Sequence, residues 1–103
     1  MTVRYIKKIK SLLVDNGYIN EKRVGSYFIE NLIYNIPNCY FDNSCVKTFG
    51  NIIYYLNHID INKFICQHHQ WKLFGEKSTQ WHYNDAMQFI FLLTKVEKRE
   101  INL

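Results

Sequence analysis

Histidines and cysteines are the side chains most able to hold a metal or act as nucleophiles, and this chain carries His58, His68, His69 and His82 with Cys39, Cys45 and Cys66. Their spacing argues against a metal centre. His68 and His69 are adjacent, so they face opposite sides of a strand or diverge by about 100° on a helix, and the cysteines form no C-x-x-C pair. A nucleophile pair of Cys66 with His68 or His69 lacks a third group to orient the histidine, so Cys66 reads as a buried, inert thiol. Two-metal phosphoryl transfer needs two carboxylates on one face, as at i and i+2 of a strand, and no Asp or Glu here is so spaced. Gly25-Ser26 is followed by no acidic pair and reads as a helix start with Ser26 as N-cap. No P-loop, dinucleotide-binding glycine pattern or Ser-His-Asp order is present. The residues name no catalytic group, no metal set and no cofactor site, so the expectation is a protein that is not an enzyme.

Binding chemistry is better represented. Positive charge gathers in Arg4, Lys7, Lys8 and Lys10, in Lys22-Arg23, and in Lys95, Lys98 and Arg99. If the first and last helices lie side by side, Arg4, Lys7, Lys8, Lys95, Lys98 and Arg99 form one face able to contact the phosphates of a nucleotide or nucleic acid. The competing reading is ordinary solvated surface, because +4 over 103 residues is a mild excess.

The elements that must carry these residues are helical. Tyr5, Ile6, Ile9, Leu12 and Leu13 recur at three- and four-residue steps, which predicts a helix from about Thr2 to Asn16, closed by Gly17. Ser26 then opens a mostly buried second helix through Phe28, Ile29, Leu32 and Ile33, stopped by Pro37. Asn43 or Ser44 caps a third, in which Val46, Phe49, Ile52, Ile53 and Leu56 keep the same period to about His58. Gly50 inside it implies a close helix contact. Residues 64–74 have apolar ends around a polar middle and fit a short hairpin or an irregular loop after a helical turn. Trp81 to about Lys98 reads as the last helix, with Ala86, Phe89, Ile90, Leu93 and Val96 on one face. The sum is an all-α bundle of four or five helices, one domain over 1–103.

Composition narrows the class further. With 48% hydrophobic and 17% aromatic residues, the chain has the means to bury a core, which excludes disorder as the main reading. No window approaches the roughly 18 apolar residues of a membrane span, and the start lacks a signal-peptide core, so a cytoplasmic protein is expected. Three cysteines, an odd number without framework spacing, agree with reduced thiols.

One stretch carries a family resemblance. Ser26-Tyr-Phe-Ile-Glu-Asn-Leu-Ile-Tyr-Asn-Ile-Pro-Asn resembles the S-x-x-[IL]-E-x-L-[LIV]-[YW]-N-[VI]-P segment of bacterial nucleotidyltransferases related to oligoadenylate synthetase and cyclic-GMP-AMP synthase. Trp71-Lys-Leu-Phe-Gly75 is similar to their Y-L-F-G element. Gln80-Trp81, with Asp85-Ala86 and Phe89-Ile90, is similar to their Q-x-W-[ST]-x-x-[DE]-A-x-x-F-[IL] ending, His82 standing where Ser or Thr is more common. The likeness runs in order from about Tyr5 to Val96. It implies the helical C-terminal lobe of an anti-phage-type enzyme, which packs against a catalytic palm and shapes its nucleotide pocket. The palm's Gly-Ser motif and acidic triad have no counterpart here.

The resemblance implies a stand-alone, non-catalytic module of bacterial defence that works by protein association, as a homo-oligomer or with a partner protein. A lobe shaped against a palm keeps an apolar face, and the neighbourhood of Tyr54, Tyr55 and Trp71 is the candidate interface. Nucleotide or nucleic-acid binding through the basic face is the alternative, and no membrane contact is expected.

Overall fold

In the computed structural model, which describes residues 2–67, 71–77 and 80–103, the first apolar period folds as helix α1 (Thr2–Asp15). Its inward positions Ile6, Ile9 and Leu13 are buried at the spacing one helix face requires. Lys10 shares that face instead of projecting into solvent, and its ammonium reaches Glu21 at 2.8 Å. The helix ends as expected at Gly17, whose φ of 80° lets the Gly17 N–H donate to the Val14 carbonyl and the Tyr18 N–H to that of Leu13. A 3₁₀ turn, Glu21–Arg23, follows, capped by the Asn20 side chain.

Helix α2 (Ser26–Tyr34) differs from its sequence reading at the first residue. Its N-cap is Gly25, not Ser26. Gly25 takes the extended cap conformation and its carbonyl accepts from the Phe28 and Ile29 N–H groups, so Ser26 moves one position into the helix and stays exposed. Asn35 and Ile36 leave the helix ahead of Pro37, as the ring's restriction on its predecessor requires.

Helix α3 (Cys45–His58) starts at Ser44, whose hydroxyl accepts from the Lys47 N–H at 3.3 Å. Thr48 adds a second clasp, its hydroxyl accepting from the Asp42 N–H and donating to the Asp42 carbonyl. Gly50 does not mark a close helix crossing, because a Cβ built there meets nothing within 4 Å.

Beyond α3, a 3₁₀ turn (Ile61–Lys63) leads into the least regular stretch. The expected hairpin is reduced to one antiparallel bridge, Ile65 with Lys72, held by Cys66 N–H to the Trp71 carbonyl and Leu73 N–H to that of Phe64. Phe74 and Trp81 form a parallel bridge. Trp81 is therefore spent on pairing, and helix α4 begins two residues later, at Tyr83, running to Glu97. His82 caps it without a side-chain bond.

Helix α1 packs on α2, α3 on α4, and α1 also touches α3. The core between them draws on every helix, with Ile6, Leu13, Leu32, Ile52, Phe89 and Leu93 among its fully buried members. Each such side chain contributes about 1.5–3 kcal/mol relative to exposure. Beyond α4, Arg99 has φ 61°, with its N–H bonded to the Val96 carbonyl and that of Glu100 to the Lys95 carbonyl. This is the closure seen at Gly17, made here by a residue with a Cβ. No helix among the described residues is long and apolar enough to cross a membrane.

Candidate functional site

Of the six basic residues, Arg99 alone lines the cleft where the end of α4 meets the start of α1, among the described residues. This cleft of about 180 Å³ between the start of α1, the start of α3 and the end of α4 is lined by Tyr5, Val46, Phe49, Val96, Glu97 and Arg99. The α1 residue on its wall is Tyr5, next to Arg4 in sequence, whereas Lys7 turns toward α2. Two of the six basic residues are already engaged: Lys7 pairs with Glu30 at 3.1 Å, and Lys95 pairs with Glu100 at 2.7 Å while lying over the Phe91 ring. Arg4, Lys8, Lys98 and Arg99 are exposed and make no ion pair with another described residue. Glu97, on the wall of the same cleft, dilutes the field.

The three aromatic interface candidates occupy different settings. Tyr54 is 59% exposed and stacks on His58 one turn later, with ring centroids 4.1 Å apart. Tyr55, about 100° around α3, is half-buried against Tyr40 and Phe64. Trp71 is exposed on the bridged segment. Phe91 is 58% exposed and was not singled out in the sequence, because its position in α4 carries no period signal of its own.

The start of α2 has the clearest chemistry. Ser26 is exposed with no capping role, and Tyr27 beside it is 46% exposed. Partial loss of solvent, with the neighbouring Cys66 thiol, raises the Tyr27 phenol above the ordinary tyrosine value. The backbone N–H groups at a helix start carry partial positive charge and favour an anion, while an exposed aromatic ring offers a face to a planar group. Reading Ser26 as the cap hid this arrangement, and the preceding glycine was the signal that could have shown it.

From Tyr27 a column of rings runs inward and out again. Tyr27 meets Phe28 edge-on at 5.7 Å, Phe28 stacks on Trp81 at 5.5 Å, Trp81 stacks on Phe74 at 5.9 Å, and Phe74 meets Tyr83 edge-on at 5.9 Å. The indole of Trp81 is 1% exposed and donates to the Arg23 carbonyl at 2.6 Å. Arg23 in turn faces Asp85 in the first turn of α4 at 3.9 Å. These contacts place the starts of α2 and α4 against one shared wall.

The nucleophile and metal candidates are dispersed. Cys66 is buried, Cys39 exposed and Cys45 half-buried, all as free thiols. His58 has Nδ1 2.7 Å from the Tyr54 carbonyl, and His82 is exposed at the α4 cap. His68 and His69 lie outside the described residues. Among the described residues no group of three or more His, Cys, Asp or Glu side chains is placed to hold a metal ion.

Comparison with known proteins bears on the whole chain. Residues 1–97 match the family model of the cGAS/DncV-like nucleotidyltransferase C-terminal helical domain. The chain is 42% identical over 98 residues to the cyclic nucleotide synthase CdnE01 of Staphylococcus haemolyticus, covering 91% of this chain and 32% of that protein. It is 36% identical over 89 residues to the cyclic UMP-AMP synthase of Rhodothermus marinus, covering 86% of this chain and 31% of the synthase. The solved structure of Rhodothermus marinus CdnE c-UMP-AMP synthase with Apcpp and Upnpp superposes with a TM-score of 0.89 at 31% identity, over 99% of this chain and 35% of that one. The chain thus spans about a third of the length of the relatives it matches. With the motif order, the four-helix fold and the family match in agreement, the chain belongs to the C-terminal helical domain family of cGAS/DncV-like nucleotidyltransferases.

Proposed function

We propose that this chain works as a non-catalytic helical lobe, acting by association with a nucleotidyltransferase palm and helping to hold that palm's nucleotides. The observation that carries the reading is the superposition of 99% of the chain on about a third of a cyclic UMP-AMP synthase. The exposed Ser26 and Tyr27 at the start of α2 suit it chemically: helix N–H groups for a phosphate, a ring face for a base. Exposed Tyr54, Val46 and Phe91 supply apolar surface for association, whether with a palm or with a second copy. The cytoplasmic setting and the role in bacterial defence implied by the resemblance go with this reading.

The test is a chimera in which this chain replaces the matching third of the Rhodothermus marinus synthase, assayed for cyclic dinucleotide formation from ATP and UTP. Product is expected from the chimera, little from the palm alone, and a marked loss on Tyr27→Ala. A folded chimera that makes no product would sink the reading.

A second reading rests on the meeting of Arg99 with the start of α1. In it, Arg4, Lys8, Lys98 and Arg99 form a phosphate-contacting face for nucleic acid. Binding to a short RNA should then fall steeply with salt and lose about one unit of the log-log salt slope for each phosphate-contacting residue replaced, as with Lys8→Ala.

A further inference from the structure

The Tyr83 end of the aromatic column opens into a cleft of about 280 Å³, set between Asn62, the Phe74–Glu76 segment and the first turn of α4, His82 to Asn84. Its chemistry differs from that of the basic ends. No lysine or arginine lines it among the described residues, and the Glu76 carboxylate repels a phosphate. One wall is the Tyr83 ring, half-exposed and fixed edge-on against Phe74, which offers a flat face to a second ring. Glu76 is an acceptor with two oxygens, exposed and in no ion pair with another described residue. The Asn62 and Asn84 amides and the first N–H groups of α4 supply donors, since His82 caps that helix without a side-chain bond.

A flat neutral ligand that donates to a carboxylate on one part of its edge and accepts on the next part satisfies all of these groups at once. We propose that the cleft is a binding site for a guanine base. The ring stacks on Tyr83, its N1–H and exocyclic amino group donate side by side to the two oxygens of Glu76, and its O6 accepts from an asparagine amide or the α4 N–H groups. Adenine lacks the adjacent N1–H and amino donors, so it cannot form the paired contact with Glu76. The residues invoked all belong to this chain and none is used in the proposed association with a palm, so failure of the chimera leaves this proposal standing, and the reverse also holds.

The test is a two-dimensional amide NMR titration of the chain with guanosine, which carries no phosphate, beside adenosine as control. Saturable shifts are expected at Phe74–Glu76 and His82–Asn84 with guanosine, and roughly tenfold weaker binding of adenosine. Glu76→Gln should weaken guanosine roughly tenfold while leaving adenosine unchanged, and Tyr83→Leu should weaken both. Both substitutions lie at exposed positions, and the dispersion of the spectrum reports that each variant is folded. Absence of saturable shifts up to the solubility of guanosine, equal binding of the two nucleosides, or indifference to Glu76→Gln would each overturn the proposal.

Discussion

Asn35 holds Ile65 as a neighbouring strand would: its Oδ1 accepts from the Ile65 N–H at 3.0 Å and its Nδ2 donates to the Ile65 carbonyl at 2.7 Å. Asn31, one turn earlier on α2, makes half of that contact: its Oδ1 accepts from the Gln67 N–H at 2.6 Å, while its Nδ2 donates to the Tyr27 carbonyl of its own helix. Two asparagines on one helix face thus replace a sheet partner for the segment at 65–67, whose own pairing is a single bridge.

Asn35→Ala should destabilise the fold by about 1–3 kcal/mol, because it strips both backbone groups of Ile65 of their partner in a half-buried site. Thermal unfolding should show it as a fall of about 4–8 °C per kcal/mol. Asn57→Ala is the control: that side chain is exposed, and its bonds to the Ile53 carbonyl and Thr94 are replaced by water. Equal losses for the two variants would show that the strand-like contact contributes nothing special.

Gly50→Ala should stabilise the protein by about 1 kcal/mol, since the position is inside α3 and the added Cβ has open space. Denaturant unfolding measures it as a raised midpoint at unchanged slope. A lowered midpoint would mean that the helix tightens around Gly50 in solution.

Arg99→Gly should also stabilise, by about 1 kcal/mol, because Arg99 holds the left-handed conformation that Gly17 adopts without cost. If Arg99 also contacts phosphates, the same variant should gain thermal stability and lose RNA affinity together, and measuring both on one preparation separates the two effects.

Glu100 should titrate below an ordinary glutamate, because its carboxylate accepts from the Lys95 ammonium and sits in the field of that charge. The folded value is depressed, so the pair's contribution to stability is present above the unfolded carboxylate pKa and disappears as pH falls through the folded one. The window is therefore acidic, and the effect on global unfolding is small because the pair is exposed. Carboxyl NMR titration should show Glu100 moving up in Lys95→Ala; a value unmoved by that change would contradict the pairing.

The helices were legible because their apolar residues recur with one period, and the α2 motif was legible because it carries Ser26, Glu30, Leu32, Asn35 and Pro37 in fixed order. What the sequence hid was the division of labour at element starts. Gly25 and Ser26 both favour an N-cap, and only the chain's entry angle assigned it to Gly25. Trp81 fits a helical period as well as a bridge, and its pairing with Leu73 and Phe74, outside any local window, decided the matter. Lys10 looked solvated because lysine rarely goes inside, yet Glu21, eleven residues on, gives its ammonium a partner. The ring column and the cleft beside Tyr83 join segments far apart in the chain, so no spacing rule could have shown them.

The indole bond from Trp81 to Arg23 spans 58 positions, whereas α1 with α2 and α3 with α4 are neighbours along the chain. Contacts between distant segments are reached late, because a long loop must close before they form. The expected order is therefore two helical hairpins first, with insertion of Trp81 between Phe28 and Phe74 as the step that joins them. With Trp71 at the surface and Trp81 inside, the emission of Trp81 serves as a clock for that last step.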